Sequence, residues 1–182
     1  YSVGWSNDNG MYYGDKNCDG TKKTQNVIAN KNNTYYIEMS KNDLFFQTNF
    51  YKDENFSELE ESVSIQMCSN PIDLQYIRIT NEDGKPSGNG GKLSGSIDDI
   101  QIFKEIDNQM IPTFSTSFDE CIDKTCSDVW TLHNSDHIFI NDENNSLSFL
   151  SRVTGTHDYA HLKLNDELPN SWLMKFKFHI ED

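Results

Sequence analysis

The segment WLMKFKFHIED, Trp172 to Asp182, alternates between apolar and polar side chains along most of its length. One side of an extended chain carries its bulky apolar residues, which are Trp172, Met174, Phe176, Phe178 and Ile180. The other side carries Leu173, Lys175, Lys177, His179 and Glu181. Because successive side chains of a β-strand point to opposite faces of a sheet, the segment predicts a long strand with one buried face. Lys175 and Lys177 are then expected to face solvent or a polar concave surface.

Shorter runs with the same period fill most of the chain. YYIEMS places Tyr35, Ile37 and Met39 on one side, and DLFFQTNF follows after a turn-like segment, residues 41–43, so the two runs predict a hairpin. Further strands are predicted from SVSIQM, LQYIRIT, GSIDDIQIF, HIFIN, SLSFLSRV and YAHLKLN. Turn-forming segments rich in Asn, Asp, Gly and Ser separate these runs, and no long amphipathic helix is predicted. The pattern indicates an all-β fold, a sandwich or jelly roll.

The 182-residue chain is strongly acidic, with 29 Asp and Glu against 15 Lys and Arg and a formal net charge of −14. Its sequence builds no basic face that tracks phosphates, so nucleic acid is not a predicted partner. It contains no run of about twenty apolar residues, so membrane insertion is not predicted either. The acidity indicates a solubilising surface or, as the alternative, carboxylates clustered on loops around a divalent cation.

Four cysteines occur in this Tyr-, Asn- and Ser-rich chain, at Cys18, Cys68, Cys121 and Cys126. Their even number predicts disulfides and an oxidising, extracellular or cell-surface location. Four cysteines permit three pairings; a local Cys121–Cys126 loop would leave Cys18 with Cys68. A zinc site is disfavoured because there is no C-x-x-C and the histidines lack a spacing typical of zinc ligands.

Several of these segments resemble parts of one known family. GSIDDIQIF, preceded by a Gly-rich loop, resembles the closing strand of concanavalin A-like (laminin G-like) lectin/glucanase domains. DVWTLHNSDHIFINDENNSLSFLS, residues 128–151, resembles the start of such a domain, and SWLMKFKFHIED resembles its central strand. NNTYYIEMSKNDLFFQTNFY resembles a later hairpin. The resemblance implies a jelly-roll β-sandwich and covers nearly the whole chain, but in a permuted order.

The permuted order predicts three segments. Residues 1–105 would form the C-terminal portion of a lectin-like sandwich, residues 106–113 a linker, and residues 114–182 the N-terminal portion of a next sandwich. Three explanations are open: a tandem-repeat unit cut inside a domain, a subunit completed by strands of its neighbours, and a circular permutant that closes on itself. The first two imply identical neighbouring units as partners, because a half-sandwich exposes unpaired edges and an apolar face.

No catalytic role is predicted for the acidic residues. Glucanase activity in the resembling family requires carboxylates that alternate along one strand. The nearest candidates are Glu58, Glu60, Glu61, Asp119, Glu120 and Asp123, and neither group combines alternating carboxylates with the aromatic neighbours of that pattern. We therefore interpret them as solvated loop charges and predict that the chain is not an enzyme.

Two ligand sites are predicted near the N-terminus. GDKNCDG places Asp15, Asn17 and Asp19 at alternating positions before a Gly, as in the first half of a Ca²⁺ loop, so calcium is the candidate cofactor. The alternative is an Asp- and Asn-rich turn. A glycan-binding surface is predicted at Trp5, Tyr12 and Tyr13, whose rings lie in Gly- and Asn-rich sequence; the alternative is that these rings belong to the core.

Three Asn-x-Ser/Thr sequons begin at Asn32, Asn55 and Asn144, close to the number that chance gives in an Asn-rich chain, but all in predicted turns or loops. Together these features give two functional hypotheses. The first is a structural repeat or subunit of an extracellular filament or cell-surface adhesin array, with units completed head-to-tail by their neighbours. The alternative is a glycan-binding, lectin-like module of a secreted or surface protein, with cell-surface glycans as partners.

Overall fold

A computed structural model describes residues 2–6, 10–16, 22–27, 32–66, 74–81, 94–118, 130–133, 137–150 and 158–181, the first three of these segments by their backbone alone. These residues are organised into β-strands, and every strand pair among them is antiparallel. The predicted all-β class is confirmed. No helix in these segments has the length and apolar character needed to cross a bilayer.

The strands are β1 (Ser2–Ser6), β2 (Gly10–Lys16), β3 (Lys22–Val27), β4 (Asn33–Asn42), β5 (Phe45–Tyr51), β6 (Leu59–Gln66), β7 (Leu74–Asn81), β8 (Gly95–Ile106), β9 (Gln109–Thr116), β10 (Trp130–His133), β11 (Ile138–Asn141), β12 (Ser146–Phe149), β13 (Asp158–Leu168) and β14 (Ser171–Ile180). Nine of these strands, β4 to β8 and β11 to β14, follow the predicted runs, whereas β1, β2, β3, β9 and β10 lie outside them.

One large sheet and two small ones contain these strands. The large sheet has the order β11-β12-β8-β14-β4-β5-β6, and β9 pairs with β8 beyond the stretch that β12 covers. A small sheet has the order β10-β13-β7, and the other has the order β1-β2-β3. The large sheet and the β10-β13-β7 sheet share one hydrophobic cluster, so the arrangement is sandwich-like.

β14 is a central strand of the large sheet, as its alternation predicted. Trp172, Phe178 and Ile180 are buried, and Met174 and Phe176 pack partly buried against the core. β14 pairs in register with β4 along its whole length. The β4–β5 hairpin is also confirmed. Every second side chain of both strands is buried, as expected for strands with one face on the core.

The core joins the two facing sheets through large side chains. Trp130 of β10 is buried against Phe118, with ring centroids 5.8 Å apart. Lys104 of β8 and Asp166 of β13 form an ion pair at 3.5 Å between the same two sheets. The fully buried residues around them include Ile37, Phe50, Ile100, Ile102, Ile138, Leu147, Ala160 and Leu162.

The two predicted half-sandwiches contribute strands to the same sheet. β14, from residues 114–182, lies between β4 and β8, which both come from residues 1–105. Residues 106–113, predicted as a linker, instead end β8, form a turn at Asp107 and Asn108 and begin β9. Pro112 lies in β9 beside a register shift, where a strand tolerates a residue without an N–H. The jelly-roll topology and the permuted order stay predictions.

Candidate functional site

The side of the large sheet that faces away from the core is polar, and we call it the polar face. Alternation along β14 places Lys175, Lys177 and His179 there. β4 adds Tyr36 and Glu38, which alternate with its buried residues. The other members are Asn49 and Tyr51 on β5, Ser62 on β6, Ser96 and Asp98 on β8, and Ser146 and Ser148 on β12.

Two lysines of β14 pair with carboxylates on its neighbouring strands. Lys175 Nζ lies 3.3 Å from Glu38 Oε2, and Lys177 Nζ lies 3.6 Å from Asp98 Oδ2. In each pair the two residues lie directly opposite each other in the strand register, a geometry that brings side chains together across a sheet. Asn49 donates its amide N–H to Glu38 Oε1 at 3.0 Å. Each of these two lysines is therefore matched with a carboxylate.

Partial burial changes the proton affinity of two groups on the polar face. Burial raises the pKa of Asp98, and the backbone N–H of Asp99 and the ammonium of Lys177 oppose that shift. Burial also raises the pKa of Tyr51, with the Glu38 carboxylate acting in the same direction. Both shifts favour the neutral form, so these two groups are disposed to donate hydrogen bonds at a higher pH than usual.

A β-bulge in β8 distorts the centre of the polar face. β14 pairs Lys177 with Asp98 and Lys175 with Gln101, so two residues of β8 oppose one residue of β14. Asp99 has a φ of 53°, in the left-handed region that few non-glycine residues adopt and in which Asp is enriched. A bulge re-aims the side chain that it carries. Asp99 is exposed and lines a cavity on the polar face.

The loop between β5 and β6, residues 52–58, is organised by one carboxylate. Asp53 accepts hydrogen bonds from the Ser57 N–H at 3.0 Å, the Ser57 hydroxyl at 2.8 Å and the Glu58 N–H at 2.6 Å. The bond from Glu58, followed by those from Ser57, lowers the pKa of Asp53 because each stabilises the ionised form. The loop is therefore held in a defined shape at neutral pH.

This shape presents Phe56 to the polar face. Phe56 has a φ of 54°, which is a genuine outlier for a bulky aromatic residue. Its ring contacts those of Tyr51 and Tyr36 edge to face, with centroids 5.5 Å and 6.0 Å away. The ammonium of Lys175 lies 4.4 Å from the centre of the Phe56 ring. Three aromatic rings and a lysine thus form one cluster.

Two cavities open on the polar face. The first has a volume of about 280 Å³ and lies beside the aromatic cluster; its lining consists of Tyr36, Glu54, Phe56, Asp99, Gln101, Lys175, Phe176 and Lys177. The second has a volume of about 230 Å³ and is lined by Thr34, Ser96, Asp98, Asn144, Ser146, Lys177 and His179. Lys177 lines both, so the two cavities adjoin.

The residues that line the second cavity all have polar side chains. A hydrogen bond of 3.0 Å joins Thr34 Oγ1 and His179 Nδ1 across β4 and β14. Ser146, buried at the end of β12, donates its hydroxyl to Asn144 Oδ1 at 2.6 Å and lies 3.2 Å from the hydroxyl of Ser148. Hydroxyl, amide, imidazole and carboxylate groups here offer both donors and acceptors to a ligand.

The predicted site residues near the N-terminus lie mostly outside what the structure describes. Trp5 is on β1, and Tyr12, Tyr13 and Asp15 are on β2, but only their backbone is described. Asn17 and Asp19 fall outside the described residues. In the segments that are described, no three acidic, His or Cys side chains gather as metal ligands do. Calcium and a glycan surface at these positions therefore stay predictions.

Some of the other predicted site residues are described by the structure and some are not. All four cysteines (Cys18, Cys68, Cys121 and Cys126) lie outside the described residues, so the disulfides stay predictions. Of the acidic candidates, Glu60 and Glu61 are half-buried on β6, so their interpretation as solvated loop charges is wrong, and Glu60 pairs with Lys52 at 3.5 Å. Residues 119, 120 and 123 are not described. The sequon residues Asn32, Asn55 and Asn144 are all exposed and lie in turns.

Sequence reasoning located Lys175 and Lys177 on the polar face but missed Phe56, Tyr36 and the bulge at Asp99. The Asp53-to-Ser57 spacing is a signal for a side-chain-capped loop, yet it does not indicate where that loop lies over the sheet. No protein-family model matches the chain, and no curated protein matches it significantly.

Proposed function

We propose that the polar face binds glycans and that the chain is a lectin-like module of a secreted or cell-surface protein. The observation that carries this proposal is the first cavity, where the ring of Phe56 adjoins Gln101, Asp99 and Lys175. Sugar rings combine apolar C–H patches with many hydroxyls, so a site needs aromatic faces together with a few oriented polar groups. The polar face supplies both.

The conformation of Phe56 supports a functional role for its ring. A backbone held in the left-handed region costs on the order of 1–3 kcal/mol and persists only when surrounding structure enforces it. Here the hydrogen bonds to Asp53 enforce it, and their effect is to place an apolar ring beside polar groups.

The charge pairing indicates which glycans suit the site. Lys175 is paired with Glu38 and Lys177 with Asp98, so neither lysine offers a free positive charge. A neutral, hydroxyl-rich ligand can accept from the ammoniums and donate to the carboxylates without breaking either pair. We therefore propose neutral glycans as the ligand class of the first cavity.

Glycan-array binding of the full 182-residue chain, followed by calorimetry with the best ligand, tests this proposal. Phe56→Ala is expected to weaken binding at least tenfold, which corresponds to about 1.4 kcal/mol. Tyr76→Ala is the matched control, since Tyr76 is an aromatic residue on β7, outside the polar face, with 60% of its surface exposed. Unchanged affinity in Phe56→Ala, or binding to no glycan, contradicts the proposal.

A specific observation also favours the structural-array hypothesis as a second candidate. β9 pairs with β8, and the hairpin that they form exposes Ile106, Met110 and Ile111. Exposed apolar edge strands pair readily with other chains. β4, β8 and β14 share a sheet within one chain. We therefore propose an array in which each chain forms its own sheet and neighbouring units associate through their edge strands.

Light scattering across a wide range of protein concentrations tests the array candidate. Self-association of the wild-type chain is expected to disappear in Ile111→Lys, because a lysine on an edge strand opposes pairing with a second edge. Exposed Thr113→Lys, on the same strand, adds the same charge without removing an apolar side chain and separates the two contributions. A chain that is monomeric at every concentration rules this candidate out.

A further inference from the structure

The three sequons, which the proposed function leaves unexplained, converge on the polar face. The sequon at Asn144 lines the second cavity with both Asn144 and its hydroxyl residue, Ser146. The sequon at Asn32 contributes its hydroxyl residue, Thr34, to the same cavity. Asn55 lies between Glu54 and Phe56, which both line the first cavity. Chance explains the number of sequons in this chain, but it does not explain why each cavity has one at its border.

The side chain of Asn144 has room for a glycan in the folded hairpin. It is exposed in the β11–β12 turn, and its Oδ1 accepts the hydroxyl of Ser146 at 2.6 Å. That bond uses the amide oxygen and not the amide nitrogen, to which N-linked glycans attach. Ser146 is 2% exposed, so an enzyme that must recognise its hydroxyl has access only before the hairpin closes. Modification at Asn144 therefore precedes folding of β12.

Asn55 is presented differently, at the tip of the loop that Asp53 organises. It is exposed, and its sequon hydroxyl, that of Ser57, is also exposed and bonded to Asp53 at 2.8 Å. A glycan at Asn55 starts one residue from the Phe56 ring. A bulky, hydrated substituent at this position stands at the entrance of the first cavity without filling it.

We propose that Asn55 and Asn144 carry N-linked glycans and that these two glycans border the polar face and restrict access to it. In the modifying step the side-chain amide nitrogen bonds to the anomeric carbon of a lipid-linked diphosphate oligosaccharide. The bond from that carbon to the phosphate oxygen breaks, the diphosphate leaves with its electron pair, and the amide nitrogen loses a proton. The effect on ligand selection rests on the proposed glycan recognition, whereas the modification and its shielding of the face do not.

Secretion of the chain from cultured eukaryotic cells, followed by glycopeptide mass spectrometry, tests the modification. Both Asn55 and Asn144 are expected to be glycosylated in most molecules. Finding either asparagine unmodified in the folded, secreted protein overturns the proposal for that position.

Lysine acylation of the folded protein tests the shielding without any ligand. Lys177 lines both cavities and has 37% of its side chain exposed, so its labelling rate is expected to rise at least twofold in the Asn55→Asp, Asn144→Asp double variant. Aspartate keeps an oxygen acceptor for Ser146. Exposed Lys163 on β13 is the control and should label equally in both proteins. Equal labelling of Lys177 in both proteins overturns the shielding.

Ligand binding then tests the consequence for recognition. The double variant is expected to bind the tightest-binding glycan from the array at least threefold more tightly than the glycosylated chain does. Asn32→Asp should bind that glycan as the wild type does, because Asn32 lines neither cavity. If no variant binds a glycan while Lys177 is shielded, glycan recognition fails and the shielding stands. If the affinity is equal in every variant, restricted access is wrong.

Discussion

Replacing Gly95 by alanine should disrupt the contact between β8 and β14. A Cβ built on Gly95 overlaps the backbone carbonyl oxygen of His179 and lies 3.0 Å and 3.1 Å from two ring carbons of Phe149. A side chain can rotate away from a new methyl group, but the carbonyl of His179 belongs to the strand that Gly95 pairs beside. The two central strands of the large sheet must therefore separate locally.

The expected loss follows from this geometry. Overpacking of a core costs about 1–3 kcal/mol when side chains can adjust. Because a backbone group is hit here, we expect Gly95→Ala to lower the free energy of unfolding by at least about 3 kcal/mol, the upper end of that range. For a chain of this size such a loss lowers the melting temperature by about 6–12 °C. Urea unfolding followed by the fluorescence of buried Trp130 and Trp172 measures it.

Two variants separate the backbone overlap at Gly95 from the effect of adding a methyl group and from the contact with the Phe149 ring. Ser64→Thr adds one methyl group at an exposed strand position and should change stability by less than about 0.5 kcal/mol. Adding Phe149→Leu to Gly95→Ala removes the ring contact but leaves the carbonyl overlap, so stability should not return to that of Phe149→Leu alone. A loss below about 1 kcal/mol in Gly95→Ala refutes the close approach of β8 and β14.

The same titration tests whether one chain forms the sheet. If β14 came from a neighbouring unit, as strand complementation requires, the unfolding midpoint would rise with protein concentration. Pairing of β14 with β4 and β8 within a chain predicts no such dependence. A midpoint that shifts with concentration restores the polymer hypothesis in its original form.

Three further outcomes are expected. Lys41 is buried and donates to the Asn170 carbonyl at 2.9 Å, and burial lowers its pKa. The unfolded state therefore binds more protons than the folded state as pH approaches 10.5, so the stability of the chain should rise over that range. Lys41→Met should abolish the rise, which unfolding curves at alkaline pH measure. Asn108→Gly should stabilise the chain by about 0.5–1 kcal/mol in thermal unfolding, because Asn108 has a φ of 60°. Lys177→Met should raise the pKa of Asp98 further in a carboxyl NMR titration, because it removes the neighbouring cation.

The strands were predictable because their signal is local. β14 and the β4–β5 hairpin each alternate with a period of two, and that pattern follows directly from burial of one sheet face. Pairing between strands distant in sequence has no comparable local signal. The linker predicted at residues 106–113 is an example, because a proline is typical of a linker and only the register with β8 reveals an edge strand.

The candidate site was harder to predict because tertiary contacts create it. Sequence reasoning chose Trp5, Tyr12 and Tyr13, aromatic residues in Gly- and Asn-rich segments. Phe56 lies in an equally polar segment, yet its position depends on hydrogen bonds to Asp53 and on rings from β4 and β5. The left-handed backbone of Phe56 has no local sequence signature, because a bulky residue is unfavourable there, and the tolerance of Asp for that conformation does not by itself indicate a bulge at Asp99.

The lysines of β14 connect the fold to the site. A slip of β14 by one residue would turn Lys175 and Lys177 into the hydrophobic core and expose Trp172 and Phe178, so the alternation that lines the polar face also fixes the register. Replacing either lysine with an apolar residue should therefore weaken discrimination between registers as well as any ligand contact. Phe56 carries no such double role, because its loop lies outside the strands. A substitution at Phe56 is for that reason the cleaner measure of binding.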